Sequence, residues 1–209
     1  MTESKTPTKT KWDHYFSQWM VHRLAQFGLI GEAHPRFSEL PYEADLFVCI
    51  PDGVTTPNHP LWKHLSCYTL IEFKSMHDPF KVRDFEKVCA YVAMSYEKYT
   101  LPLDAQVTAW IILPYINIHL EAALERHHIV LTQLQTGIHQ ANHPFFPLMI
   151  VEYGLLGQVH DFFDLQIFLN KESILDSAIK EGFEQLKATF LLEEFVKILM
   201  MIHPKEVLR

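Results

Sequence analysis

The stretch that most constrains the fold is residues 67–76, which read Cys-Tyr-Thr-Leu-Ile-Glu-Phe-Lys-Ser-Met. This run is apolar and rich in β-branched and aromatic residues, which favour a β-strand. Because strand side chains alternate between two faces, Glu72 and Lys74 share one face with Leu70, while Phe73 takes the other. A charged pair on a sheet covered by helices needs partners or a function. The ordinary alternative is a solvent-facing ion pair at a sheet edge, which contributes about 0–1 kcal/mol.

A second apolar run over residues 44–50 predicts another strand, which ends at a Pro-Asp-Gly turn. Asp45 lies near its start, on the face opposite to Leu46. If the two strands pair, Asp45 and Glu72 meet at one strand end with Lys74 beside them. Mg²⁺ takes oxygen ligands and commonly binds one or two carboxylates. A lysine ammonium adds a positive charge for a phosphate or a hydroxide nucleophile.

At these residues the chain resembles the PD-(D/E)xK superfamily of restriction-endonuclease-like nucleases. Asp45 matches the first acid of that superfamily, and Glu72 with Lys74 matches its (D/E)xK. An aromatic-rich N-terminal helix, the segments LPxxADLxV and IEFKS, and a long helix carrying Tyr91 look like the bacterial recombination-promoting nuclease/putative transposase group. The resemblance covers the first half of the chain well and the rest in outline. One departure is that the proline of the superfamily's motif stands four residues before Asp45, at Pro41.

The resemblance implies a metal-dependent nuclease that hydrolyses phosphodiester bonds, with DNA as its substrate. Asp45 and Glu72 would hold Mg²⁺ or Mn²⁺, which polarises the scissile phosphate and lowers the pKa of an attacking water. Lys74 would complete the catalytic set by positioning that water or helping to deprotonate it.

Two further residues are candidates for an accessory role. Glu43 lies two residues before Asp45 and can share its face, although a solvated carboxylate at a strand start is the ordinary interpretation. Tyr91 lies on the helix after the Glu72 strand, which flanks the substrate in the resembled fold. It would orient a phosphate or a catalytic group, or else be a buried tyrosine. The basic residues predicted to form a nucleic-acid cleft are Lys81, Arg83 and Lys87.

The charge balance favours a second class of function. With a net charge of −7, the chain has few cations for the phosphate contacts that supply most non-specific affinity for nucleic acid. A local basic cleft can coexist with that balance. The alternative function is a non-catalytic interaction module that retains the nuclease fold. RNA also stays open as a substrate, because no pattern in the sequence indicates recognition of a 2′-hydroxyl.

Alternating strand and helix patterns predict an α/β fold with a mixed or parallel sheet covered on both sides. The resemblance implies that this sheet is the mixed central sheet of a restriction-endonuclease-like fold, flanked by helices. The predicted strands cover residues 37–40, 44–50, 67–76, 106–114, 129–133 and 147–153. The predicted helices cover residues 11–27, 78–99, 119–125, 161–169 and 173–201. The predicted domains are a disordered arm at residues 1–10, a nuclease-like core at residues 11–157 and a helical appendage at residues 158–209. The appendage would contact the sheet or a second copy of the chain in a homodimer.

The composition does not predict a membrane protein, a nucleotide cofactor or a zinc site. Apolar residues make up 48% of the chain, which is enough for a core. No uninterrupted apolar run reaches about 18 residues and the start lacks a signal-peptide hydrophobic region, so a soluble, cytoplasmic protein is expected. Cys49, Cys67 and Cys89 lie in apolar segments without CxxC spacing, which predicts reduced thiols. No GxxxxGK[ST] or GxGxxG motif is present.

Overall fold

The structure is a computed structural model that describes residues 12–37, 43–102 and 104–207. Over these residues the chain is an α/β protein with a seven-stranded mixed sheet and helices on both faces. The predicted α/β class is therefore confirmed. The predicted disordered arm at residues 1–10 lies outside the described residues.

The sheet has the strand order β1-β2-β3-β4-β7-β6-β5. The strands are β1 (Ile30–Ala33), β2 (Leu46–Cys49), β3 (Tyr68–Phe73), β4 (Val107–Leu113), β5 (Thr132–Gln135), β6 (Ile138–Asn142) and β7 (Pro147–Glu152). The central strands β3, β4 and β7 run parallel, and every other neighbouring pair is antiparallel. All seven residues of β4 are buried, as expected for a central strand with both faces covered.

Two helical layers cover the sheet. The helices are α1 (Trp12–Ala25), α2 (Asp84–Lys98), α3 (Ile118–Arg126), α4 (Val159–Gln166), α5 (Glu172–Leu186), α6 (Leu191–Ile202) and the short α7 (Pro204–Val207). Helices α2 and α3 share one hydrophobic core with Leu70, while α1, α4, α5 and α6 share the other with Ile71 and Phe73. The predicted alternation of β3 is therefore confirmed, and Glu72 follows Leu70 on the side of α2.

The C-terminal helices lie in the same layer as α1, on one face of the sheet. The ring centroid of Phe195 on α6 lies 5.4 Å from that of Trp19 on α1 and 5.9 Å from that of Phe163 on α4. Gly182 on α5 lets Phe195 approach closely, because a Cβ at that position would come within 2.1 Å of the Phe195 ring. The helices predicted as an appendage thus pack into the main core on this side of the sheet. No helix in the described part of the chain is both long and apolar enough to cross a membrane.

Several predicted boundaries are wrong. Helix α2 begins at Asp84 instead of residue 78, because Asp84 Oδ2 accepts a hydrogen bond from the backbone N–H of Lys81 at 2.8 Å and holds the preceding segment in a turn. The predicted helix at 173–201 is two helices, with a turn in which the backbone N–H of Thr189 donates to the carbonyl of Leu186. Strands β1 and β6 were not predicted, and β5 begins three residues later than expected. Of the predicted strand at 37–40, Phe37 belongs to no strand and the rest lies outside the described residues.

Candidate active site

The end of the β2–β3 pair brings Asp45 and Glu72 together. Leu46 pairs with Ile71 in the antiparallel register, so Asp45 and Glu72 are the next opposed residues. Residues in such positions typically have Cβ atoms about 4.5–5.5 Å apart. Asp45 Oδ2 accepts a hydrogen bond from the backbone N–H of Phe73 at 2.6 Å. The aspartate side chain therefore stands where the ladder ends and is fixed against β3.

Contacts with β4 and with the core on the opposite face of the sheet hold Lys74 just beyond the strand. Its backbone N–H donates to the carbonyl of Ile112 on β4 at 2.7 Å, and its carbonyl accepts a hydrogen bond from the Tyr153 hydroxyl at 3.3 Å. The Phe73 ring stacks on Phe16 of α1, with the centroids 4.0 Å apart. The backbone that presents Glu72 and Lys74 is thus anchored from the opposite face of the sheet.

The three predicted catalytic side chains are buried together. Asp45 is 8% exposed, Glu72 7% and Lys74 9%. Lys74 Nζ lies 2.8 Å from Glu72 Oε1. Glu72 Oε2 is buried and finds no hydrogen-bond partner among the described residues. An unsatisfied buried group of this kind costs about 1–3 kcal/mol or more, so this oxygen is suited to a further partner such as a hard cation.

The electrostatics of the cluster disfavour two ionised carboxylates side by side. Burial, followed by repulsion from Glu72, raises the pKa of Asp45 well above its ordinary value. Burial also raises the pKa of Glu72, although Lys74 opposes that shift. Burial alone would lower the pKa of Lys74, but attraction from Glu72, Asp84 and Asp45 outweighs it and raises that pKa. Lys74 therefore stays charged. A proton or a metal ion would stabilise the two carboxyl groups, because it would offset their mutual repulsion.

Asp84 is a fourth member of the cluster that the sequence analysis missed. It is the first residue of α2 and is 1% exposed. Its Oδ2 lies 3.4 Å from Lys74 Nζ, and its Oδ1 lies 2.9 Å from Lys87 Nζ. Burial would raise the pKa of Asp84, but Lys74 and Lys87 outweigh it and lower that pKa. The sequence offered one signal, an acid three residues before Lys87 on the predicted helix, but that spacing indicates a pair on the helix surface and not a contact with Lys74.

Tyr91 lies beside the carboxylates and hydrogen-bonds with the backbone of Glu43, whereas the Glu43 side chain makes other contacts. Tyr91 is 5% exposed and stacks on Phe37 with a centroid distance of 5.5 Å. Burial, followed by repulsion from Glu72, raises the pKa of Tyr91 to about 12, so its hydroxyl stays protonated and can donate a hydrogen bond. The exposed Glu43 carboxylate pairs with His34 Nδ1 at 3.2 Å and with Arg36 Nε at 3.5 Å.

A basic cavity of about 550 Å³ borders the cluster along the outer side of α2. Its lining residues are Val82, Arg83, Glu86, Lys87, Ala90, Tyr91 and Arg126. Two of the three predicted cleft residues, Arg83 and Lys87, therefore lie together. The third, Lys81, pairs with Asp78 at 2.5 Å and does not line the cavity. Arg126 on α3 joins from a distant part of the sequence and pairs with Glu86 at 2.6 Å.

A further buried carboxylate, Glu152, lies at the same end of the sheet on β7. Its Oε1 lies 2.9 Å from His139 Nε2, and its Oε2 accepts a hydrogen bond from the backbone N–H of Ile116 at 2.8 Å. Both oxygens are thus occupied by protein groups, in contrast to those of Glu72. Glu152 therefore provides a matched control for substitutions of Glu72.

The donor set fits a hydrated magnesium-type ion better than a closed protein site. Within the described ranges, no three or more His, Cys, Asp or Glu side chains are arranged to hold a metal ion. Mg²⁺ commonly uses one or two carboxylates and keeps several waters or substrate oxygens, so Asp45 and Glu72 suffice for it.

Comparison of the chain with protein-family models, curated proteins and solved structures gives no match. The fold and the site together describe an α/β protein in which two buried carboxylates and a lysine lie beside a basic cavity.

Proposed function

We propose that the protein is a metal-dependent nuclease of the PD-(D/E)xK, restriction-endonuclease-like type that hydrolyses phosphodiester bonds in DNA. One observation carries the proposal. Asp45, Glu72 and Lys74 are buried together at a strand end, and one oxygen of Glu72 has no partner among the described residues. Helix α2, which follows the Glu72 strand and lines the basic cavity, also agrees with the arrangement that the resemblance implies.

The residues divide the chemistry among them. Asp45 and Glu72 would hold Mg²⁺ or Mn²⁺, which when bound polarises the scissile phosphate and lowers the pKa of an attacking water. Lys74 keeps its positive charge and holds the attacking oxygen or a phosphate oxygen by a charge-assisted hydrogen bond. Tyr91 stays protonated and donates a hydrogen bond to a phosphate oxygen entering from the cavity that it lines.

The cavity beside α2 supplies the binding surface for the nucleic-acid backbone. Among the described residues, Arg83, Lys87 and Arg126 line it together with one acidic residue, Glu86. Arginine and lysine at such a surface contact phosphates and release counterions, which gives affinity without sequence preference. Lys87 and Arg126 also pair with Asp84 and Glu86, so for a chain with a net charge of −7 we expect modest, salt-dependent affinity.

The charge pattern also favours a second candidate, a non-catalytic interaction module with a nuclease fold. Lys74 Nζ already neutralises Glu72 at 2.8 Å, and the chain as a whole is acidic. In that case the ammonium serves as a permanent internal counter-ion, and the protein binds neither a divalent cation nor nucleic acid. The two functions therefore differ in metal binding as well as in cleavage.

The test incubates the full-length protein with supercoiled plasmid and, separately, with single-stranded RNA, in the presence of Mg²⁺ or Mn²⁺. The expected result is nicking or linearisation of the plasmid, lost with a chelator and in Lys74→Ala, and kept in the control Glu152→Gln. Isothermal titration with Mn²⁺ accompanies the assay. If the protein neither binds Mn²⁺ nor cleaves the plasmid or the RNA, the nuclease proposal fails and the interaction module is the function supported. Cleavage of RNA alone changes the substrate class from DNA to RNA.

A further inference from the structure

The Lys74 ammonium lies between two carboxylates with different surroundings. It is 2.8 Å from Glu72 Oε1 and 3.4 Å from Asp84 Oδ2. We infer that Asp84 is the positioning residue that receives the Lys74 ammonium when Glu72 binds a metal ion, and that it thereby sets the metal affinity of the site. The inference rests on the proposed function and concerns a residue to which that function gives no role.

The need for such an acceptor follows from competition at Glu72. The ammonium contacts Oε1 of Glu72, while the buried Oε2 has no partner among the described residues. A divalent cation bound at Glu72 repels the ammonium at short range, and this repulsion is strong in a site shielded from water. Lys74 therefore has to move, and a buried ammonium that lost all its partners would be strongly unfavourable.

Asp84 is arranged to take the ammonium with a small movement. Its position is fixed, because it starts α2 and its Oδ2 accepts a hydrogen bond from the backbone N–H of Lys81 at 2.8 Å. Lys87 contacts the other oxygen, Oδ1, at 2.9 Å, so it does not block the side of Asp84 that lies near Lys74. The Lys87 side chain is 47% exposed and lines the basic cavity, where it can leave Asp84 for a phosphate.

The experiment is a double-mutant cycle read by calorimetry with Mn²⁺ alone on the full-length protein. The four proteins are the parent, Asp84→Asn, Lys74→Ala and the double variant. Without the Asp84 charge, Lys74 stays on Glu72, so Asp84→Asn should weaken Mn²⁺ binding by about tenfold, a coupling typical of contacting charged groups. In the Lys74→Ala background the competitor is gone, and the same substitution should change affinity by about twofold at most, through long-range charge only.

Two further variants keep the test decisive. Glu97→Gln makes the same charge change on α2 at an exposed residue outside the cavity lining, and it should leave Mn²⁺ affinity unchanged. Asp84→Glu keeps the charge and should restore most of the affinity. If Asp84→Asn does not fold, Asp84→Ser replaces it in both backgrounds, and equal losses of Mn²⁺ affinity in the two backgrounds overturn the inference.

The outcomes separate the inference from the proposed function. A parent that binds Mn²⁺ and cleaves DNA, with equal losses from Asp84→Asn in both backgrounds, overturns the role of Asp84 and leaves the nuclease intact. Weaker Mn²⁺ binding by Lys74→Ala than by the parent also overturns it. A parent that neither binds Mn²⁺ nor cleaves DNA refutes both proposals.

Discussion

Replacing Asp45 by asparagine should stabilise the metal-free protein at neutral pH. Asp45 and Glu72 are opposed at the end of β2 and β3, and both are buried. Asparagine keeps the shape of the side chain, and its oxygen can still accept the hydrogen bond from the backbone N–H of Phe73. The substitution therefore removes one of two repelling charges with little loss of packing.

The magnitude follows from the spacing of the two strands. Two charges about 5 Å apart at an effective dielectric constant of about 20 repel by about 3 kcal/mol. Lys74 attracts Asp45 and offsets part of that repulsion. The expected net gain in the free energy of unfolding is thus about 1–2 kcal/mol for Asp45→Asn when both carboxylates are ionised.

The gain should depend on pH in a defined direction. Burial and Glu72 raise the pKa of Asp45 above its ordinary value of 3.8, so the folded state binds this proton more tightly than the unfolded chain does. The contribution of Asp45 to the free energy of unfolding is therefore most favourable below that ordinary value and is lost as the pH rises through the raised pKa. Asparagine imitates the protonated acid, so the difference between variant and parent should vanish at low pH and grow toward pH 8.

Urea denaturation followed by circular dichroism, with a chelator at pH 5 and pH 8, measures the difference. Added Mn²⁺ should reverse the order at pH 8, because the parent binds the ion and the variant does not. The control Glu152→Gln should lose about 1–2 kcal/mol, because both of its oxygens accept or share hydrogen bonds. An Asp45→Asn protein that is less stable than the parent at pH 8 without metal would refute this reasoning.

Three other predictions address the metal site, the cavity and the core. Glu72→Gln should weaken Mn²⁺ binding and cleavage together. Lys74→Ala should bind Mn²⁺ at least as well as the parent but lose cleavage by about 10²–10³-fold. Calorimetry measures the binding, and plasmid assays measure the cleavage. Arg83→Ala and Arg126→Ala should each weaken binding to all duplex DNA sequences alike. Each should also reduce the slope of log K against log salt by about 0.9, as measured by fluorescence anisotropy. An equal loss of affinity in Lys81→Ala would place the binding surface elsewhere. Gly182→Ala should destabilise the fold by about 1–3 kcal/mol in thermal or urea unfolding despite the better helix propensity of alanine, because the new Cβ meets Phe195; unchanged stability would mean that α5 and α6 separate easily.

Sequence patterns predicted the part of the site that depends on local strand geometry. The period of two in a strand is a property of the backbone, so it placed Glu72 and Lys74 on one face of β3 without knowledge of any neighbour. The same rule placed Asp45 on the face opposite to Leu46, and pairing of the two strands then brought the acids together. The long central strands were predicted from a different local signal, their continuous apolar runs.

The sequence failed where an element is short or is fixed by distant contacts. Strand β1 has only exposed and intermediate residues, and β6 mixes His139, Gln140 and Asn142 with two buried residues, so neither carries a clear apolar pattern. The start of α2 depends on the side chain of Asp84 and on the burial of Phe80, which is 1% exposed. Such contacts override helix propensity and cannot be derived from residues 78–83 alone.

The sequence by itself determined that Asp45, Glu72 and Lys74 can meet, and the tertiary structure decided their burial, their charge state and which other residues join them. Alternation placed the acid and the amine on one face, but it could not distinguish an exposed ion pair from a buried one. Burial under α2 raises the pKa of Glu72, while Asp84 joins from the start of that helix and Arg126 joins the adjoining cavity from α3. These features need residues far apart in the chain to be packed against each other. Desolvation and charge proximity arise only from that packing, which is why no local pattern could predict them.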